Sequence, residues 1–249
     1  MATQKDSRPI WSLPPPADRK PRYSRGQIAG VALRIADTEG FDAVTMKRIA
    51  AELGAGTMTL YYYVRNKTDI VTLMQDAILA DMLIPSRELP AAWRDAVTAV
   101  ARRSRQVLMA HPWSMTSLND AQFGPNAMRH VEQSLAALAG TGLAAPARLE
   151  LNAAVDAYVF GNALQSIESL ARARAVQSDP AAGAAAMTAG VALLATGEFP
   201  ELSKLYAAGN SSTEEGTAGP PMTEDALAQQ FERGLQALLD GLAARMRIG

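Results

Sequence analysis

Cysteine is absent from the 249 residues, and histidine occurs only twice, at His111 and His130. Neither a disulfide framework nor a thiolate metal site can form. The histidines lie outside any nucleophile motif, and the chain has no HExxH pair, phosphate-binding glycine loop or paired-carboxylate pattern. Catalysis is unsupported, and neither a metal nor a cofactor is expected. Long hydrophobic runs are also missing. Nowhere do roughly 18 apolar residues, the length of a membrane span, run together, and Met1 to Leu13 lacks the apolar core of a signal peptide. A cytoplasmic protein without membrane contact is the expectation. There is no strand-like alternation and no repeat period, so the chain reads as all-helical.

What remains is ordinary globular material, 48% hydrophobic and 20% charged, with ample length to bury a core. The net charge of −1 hides an asymmetry. Residues 1–70 carry 11 Lys and Arg against 7 Asp and Glu, whereas the remainder carries 13 against 18. A basic end on an acidic chain suits contact with phosphates at that end alone.

The segment Thr45 to Val64 is the most informative. It reads as a helix, a tight turn at Gly54 to Gly56 and a second short helix, the layout of a helix-turn-helix. Gly54 supplies a positive φ, and Thr57 can cap the second helix. Ile49, Ala50, Leu53, Leu60 and Val64 form the expected inner face. Lys47, Arg48, Thr57, Met58, Thr59 and the tyrosine run stay near the outer one. The implied activity is DNA binding.

Around this segment the pattern divides the chain into three. Residues 1–22, rich in proline, read as a disordered arm. Residues 23–69 read as a DNA-binding domain of three helices, opened by the Ser24-Arg25-Gly26-Gln27 capping box. Residues 70–249 read as a larger helical domain. Helices are predicted from Asn66 to about Ile84, from Trp93 to His111, from Pro125 to about Ala139, over 146–175, from Asp179 to about Thr196, and over 223–247. Residues 207–222 look like a mobile loop. The last helix carries Leu227, Phe231, Leu235, Leu238, Leu242 and Met246 on one stripe.

Ala36, Gly40, Thr45, Ile49-Ala50, Leu53-Gly54, Thr59-Leu60-Tyr61-Tyr62-Tyr63-Val64 and Asn66-Lys67 together resemble the TetR family of bacterial transcriptional repressors. His111-Pro112-Trp113, Phe123-Gly124-Pro125 and the Glu132, Leu138, Gly142-Leu143 segment are similar to the branch containing the tetracycline repressor. The resemblance implies a homodimer with a DNA-binding domain at each tip and a ligand-binding and dimerisation body. The helix over 146–175 and the last helix, with their long apolar stripes, would form the interface between subunits.

DNA contacts are expected from Lys47, Arg48, Thr57, Met58, Thr59, Tyr61, Tyr62, Tyr63 and Lys67, with Arg25 in an arm that either reaches flanking phosphates or merely solubilises. By angular spacing and resemblance, Tyr61 is expected to pack inward with its hydroxyl near a phosphate, and Tyr62 and Tyr63 to face DNA. Ligand contacts are expected from His111, Trp113, Met115, Asn119, Tyr158, Phe160, Asn162 and Gln165. His111 falls near a magnesium-binding histidine of the family, but no matching carboxylates accompany it. The preferred reading is a repressor that leaves a palindromic double-stranded operator when a small-molecule effector binds. The alternatives are a ligand-independent regulator or activator, or a helical small-molecule-binding protein or enzyme.

Overall fold

The structure, a computed structural model, describes residues 8–14, 22–116, 124–210 and 223–248. Every regular element among them is helical. The first, α1 (Arg25–Glu39), begins at a complete capping box: the Ser24 hydroxyl accepts from the Gln27 N–H while the Gln27 side chain accepts from the Ser24 N–H. It buries Ile28, Val31, Ala32, Ile35 and Ala36 at helical spacing. Gly40, at φ 90°, ends it. A short turn, Phe41–Ala43, leads to α2 (Met46–Glu52) and α3 (Thr57–Leu60).

α4 (Lys67–Met82) starts at Asn66, whose side chain accepts from the Asp69 N–H. Ten of its sixteen residues are buried, because α1, α5 (Trp93–Ala110) and α6 (Pro125–Ala137) all pack against it. Between α4 and α6 the contact is polar and close. The Asp76 carboxylate accepts from the backbone and side chain of Asn126 at 2.9 and 2.8 Å. Gly124 is required there, since a Cβ would overlap the Asp76 carboxylate and lie 2.7 Å from Trp11 Cζ2. Burial pushes the Asp76 carboxyl above its ordinary range, against the opposing effect of the Asn126 bonds.

Two compact units emerge, residues 1–163 with 237–249, and residues 164–236. The second contains α8 (Pro180–Ala195) and α9 (Pro200–Asn210), while α7 (Ala145–Ser178) and α10 (Glu224–Met246) contribute to both. α9 has no counterpart among the helices expected from sequence. On α10 the buried stripe is Leu227, Phe231, Leu235 and Leu239; Leu238 stands one position off it and is half-buried. α8 buries no residue. Most of the loop expected over 207–222 lies outside the described residues. Within the expected arm, Ile10–Ser12 forms a helical turn with Ile10 completely buried. No helix among the described residues is long and apolar enough to cross a membrane.

Candidate nucleic-acid interface

Thr45 caps α2 by accepting from the Arg48 N–H at 3.1 Å. The chain then reverses at Gly54, φ 63°, with the Ala55 N–H returning to the Ala50 carbonyl at 2.9 Å. Gly56, rather than Thr57, holds the capping position of α3, and no side chain caps it. Thr57 is the first helical residue. The tight turn uses the glycines and leaves both threonine hydroxyls of α3 uncommitted to capping.

Leu60, Tyr63 and Val64 are buried at 0, 6 and 1% exposure, while Met58, Tyr61 and Tyr62 are 74, 48 and 78% exposed. The inward ring is therefore Tyr63, not Tyr61. Its position three residues beyond Leu60 puts it on the same side of the turn. There its hydroxyl accepts from the Tyr23 N–H at 3.2 Å and its ring meets Tyr23 edge-on. Met58 on α3 and Tyr62 in the turn that follows both stand in water.

The basic residues divide in the same way. Lys47 and Lys67 are exposed. Arg48 is held by Glu39 at 2.6 Å and by Glu52 at 2.8 Å. The hydrogen bond from Arg48 holds the Glu39 carboxyl below its ordinary range, and both carboxylates push the guanidinium upward. Arg25 reaches inward: it donates to the carbonyls of Tyr63, Ile10, Leu13 and Pro14. Burial lowers its guanidinium from the ordinary value. Arg65 grips Asp69 at 2.8 Å and the Arg8 carbonyl at 2.9 Å. Sequence reasoning missed the pairing of Arg65 with Asp69, although their four-residue spacing at a helix start was a usable signal.

The ligand candidates sit in different surroundings. His111 Nδ1 and Trp113 Nε1 both lie 2.8 Å from Asp37 Oδ1 on α1. Asn162 accepts from Arg105 Nε at 2.8 Å. Met115, Tyr158 and Phe160 are half-buried, Gln165 is exposed, and Asn119 lies outside the described residues. A cavity of about 700 Å³ opens instead between the α4–α5 connection, with Leu83 and Leu89, and the α6 face bearing Met128, Arg129, Glu132 and Gln133. Gln133 clamps that connection by bonding both the N–H and the carbonyl of Ile84. Among the described residues no group of three His, Asp or Glu could hold a metal ion.

A helix-turn-helix whose second helix is anchored by Leu60 and leaves Met58 in water, flanked by exposed lysines and continuous with a helical body, defines a DNA-binding transcriptional regulator. Residues 28–74 match the family described as bacterial regulatory proteins, tetR family, and residues 85–246 match the tetracyclin repressor-like C-terminal domain. The HTH-type transcriptional repressor DrrR1 of Streptomyces coeruleorubidus is 32% identical, over 90% of this chain and 78% of its own. An HTH-type transcriptional regulator of Saccharopolyspora erythraea is 30% identical, over 94 and 91%. The Streptomyces coelicolor TetR family protein ActR, solved in complex with actinorhodin, superposes with a TM-score of 0.67 at 28% identity, over 90 and 97%. The chain belongs to the TetR family of bacterial transcriptional regulators.

Proposed function

We propose that this regulator is a homodimeric repressor that a small molecule releases from a near-palindromic operator. The observation that carries the reading is the exposure of Met58 on α3 and of Tyr62 just after it, the most exposed large hydrophobic side chains of the head. In this reading residues 23–69 are the DNA-binding head and 70–249 the body. Met58 packs on a thymine methyl, Thr57 and Thr59 reach base edges or phosphate, Tyr61 and Tyr62 contact the backbone, and Lys47 and Lys67 meet phosphates. Tyr63 and Arg25 instead shape the head from within, and Arg48 contacts DNA only by leaving Glu39 and Glu52.

Dimerisation is supported by α8. None of its 16 residues is buried and none is charged, and α9 adds exposed Leu202 and Leu205. That much apolar surface calls for a cover, and a second copy provides it. Two heads about 34 Å apart then read successive major grooves.

The effector site we put forward is the cavity beside Leu83 and Met128, whose volume suits a small molecule. Support for an effector comes from ActR, which was solved with actinorhodin. The effector acts by preferring a body shape that the DNA-bound dimer disfavours. A preference of about 5.5 kcal/mol moves the population from 1:99 to 99:1.

A melting screen, begun with actinorhodin and widened to a small-molecule library, tests this. A specific effector raises the midpoint and lowers affinity for a selected operator, and Met128→Trp, which fills the cavity, abolishes both effects. A compound that stabilises the body while operator affinity stays constant contradicts effector-controlled release.

A further inference from the structure

Lys67 does not stand alone at the start of α4. Its ammonium lies 4.9 Å from the centroid of the Phe41 ring. Phe41 stacks in turn on Trp113, with centroids 5.5 Å apart and planes 6° from parallel. The Trp113 indole N–H donates to Asp37 Oδ1 at 2.8 Å, and His111 Nδ1 meets the same oxygen at 2.8 Å. Trp113 is buried and Phe41 half-buried, while Asp37 and Lys67 face water. Four separate segments contribute: the corner after α5, α1, the turn Phe41–Ala43 and the first residue of α4.

We propose that Asp37, Trp113 and Phe41 are positioning residues for DNA binding, which aim Lys67 at phosphate and link its placement to the corner that follows α5. The chemistry fits each step. A lysine has a long flexible stem, and fixing it at the moment of contact costs conformational entropy. The negative face of Phe41 holds the ammonium beforehand. The offset stack on Trp113 fixes the Phe41 plane. A carboxylate that receives two ring N–H groups fixes Trp113 and His111 together, through charge-assisted bonds stronger than neutral ones. Displacement of the corner therefore moves the surface on which Lys67 rests. His111 and Trp113, expected from sequence to bind ligand, here join the corner to the DNA-facing end.

The inference rests on Lys67 as a phosphate contact, and the test separates the two. The full-length protein is titrated into a mixed-sequence duplex of about 30 base pairs, long enough for two half-sites. Fluorescence anisotropy is read across a salt series, and each lost phosphate contact flattens the logarithmic slope by about 0.9. Between 50 and 200 mM salt this corresponds to roughly 3.5-fold less affinity lost.

Lys67→Ala is expected to flatten the slope by about that amount per head. Phe41→Leu, which keeps apolar bulk but removes the ring face, is expected to flatten it similarly. The double variant is expected to show no further change, and Phe41→Tyr to restore the slope. Asp37→Ala, at an exposed position, carries the same expectation if Phe41→Leu does not fold. A full effect of Lys67→Ala beside unchanged slopes in Phe41→Leu and Asp37→Ala overturns the column. So does an additive loss in the double variant. An unchanged slope in Lys67→Ala overturns the phosphate contact itself and the column with it.

Discussion

Adjacent tyrosines of opposite role give a sharp perturbation. Tyr63→Phe removes one oxygen from a ring that is 6% exposed, and that oxygen is the acceptor for the Tyr23 N–H at 3.2 Å. Tyr23 is itself only 9% exposed, so its N–H is left without a partner or water. Leaving a buried donor unsatisfied costs about 1–2 kcal/mol. In a chain of this size 1 kcal/mol moves the midpoint by about 2–4 °C, so a fall of roughly 2–8 °C is expected. Tyr62→Phe removes the same atom from a ring that is 78% exposed, where the effect on stability stays below about 0.5 kcal/mol. If the Tyr62 hydroxyl donates to a phosphate, its loss costs about 1.5 kcal/mol of binding, roughly tenfold in Kd. Differential scanning calorimetry and anisotropy on one duplex read both quantities. A larger midpoint loss in Tyr62→Phe than in Tyr63→Phe, with unchanged Kd, would refute the inward and outward assignment.

Gly124→Ala is expected to destabilise by about 1–3 kcal/mol in urea denaturation, because the new methyl group meets the Asp76 carboxylate and Trp11. Lys47→Ala is expected to flatten the salt slope by about one phosphate contact, whereas Arg48→Ala leaves it nearly unchanged because two carboxylates already hold that guanidinium. Burial raises the Asp69 carboxyl, but its bonds from Arg65 outweigh this and hold it below the ordinary range. Its stabilisation is therefore present above the unfolded value, near pH 4, and is lost as pH falls through the lower folded value. Asp69→Asn should weaken the fold at pH 7 and make the acid limb shallower in circular-dichroism melts between pH 3 and 7.

Elements with local signals were legible from sequence. The capping box at Ser24, the Asn66 cap, the positive-φ glycine at 54 and the apolar stripe of α1 each depend on residues within one or two turns, and each formed as expected. Side-chain direction on α3 was harder, since a four-residue helix followed by a turn does not keep 3.6 periodicity, and Tyr61 and Tyr63 exchanged places. Partners distant in sequence could not be read. Arg48 finds Glu39 nine residues away, Arg25 finds Ile10, and His111 finds Asp37 across 74 positions. Nothing in a histidine before a proline distinguishes a pocket residue from one that bonds the head. On α9, Leu202, Leu205 and Tyr206 stand at i, i+3, i+4, a helical spacing present in the sequence, although all three are exposed.

Selection of bound fragments from a random duplex pool, followed by sedimentation of the protein with the selected duplex, is the most direct measurement. The account predicts a sequence with twofold symmetry, half-sites about one helical turn apart, and two chains on each duplex. Loss of selection in Met58→Ala should accompany it. A monomer that enriches no sequence and leaves every duplex unbound at low salt would contradict the account.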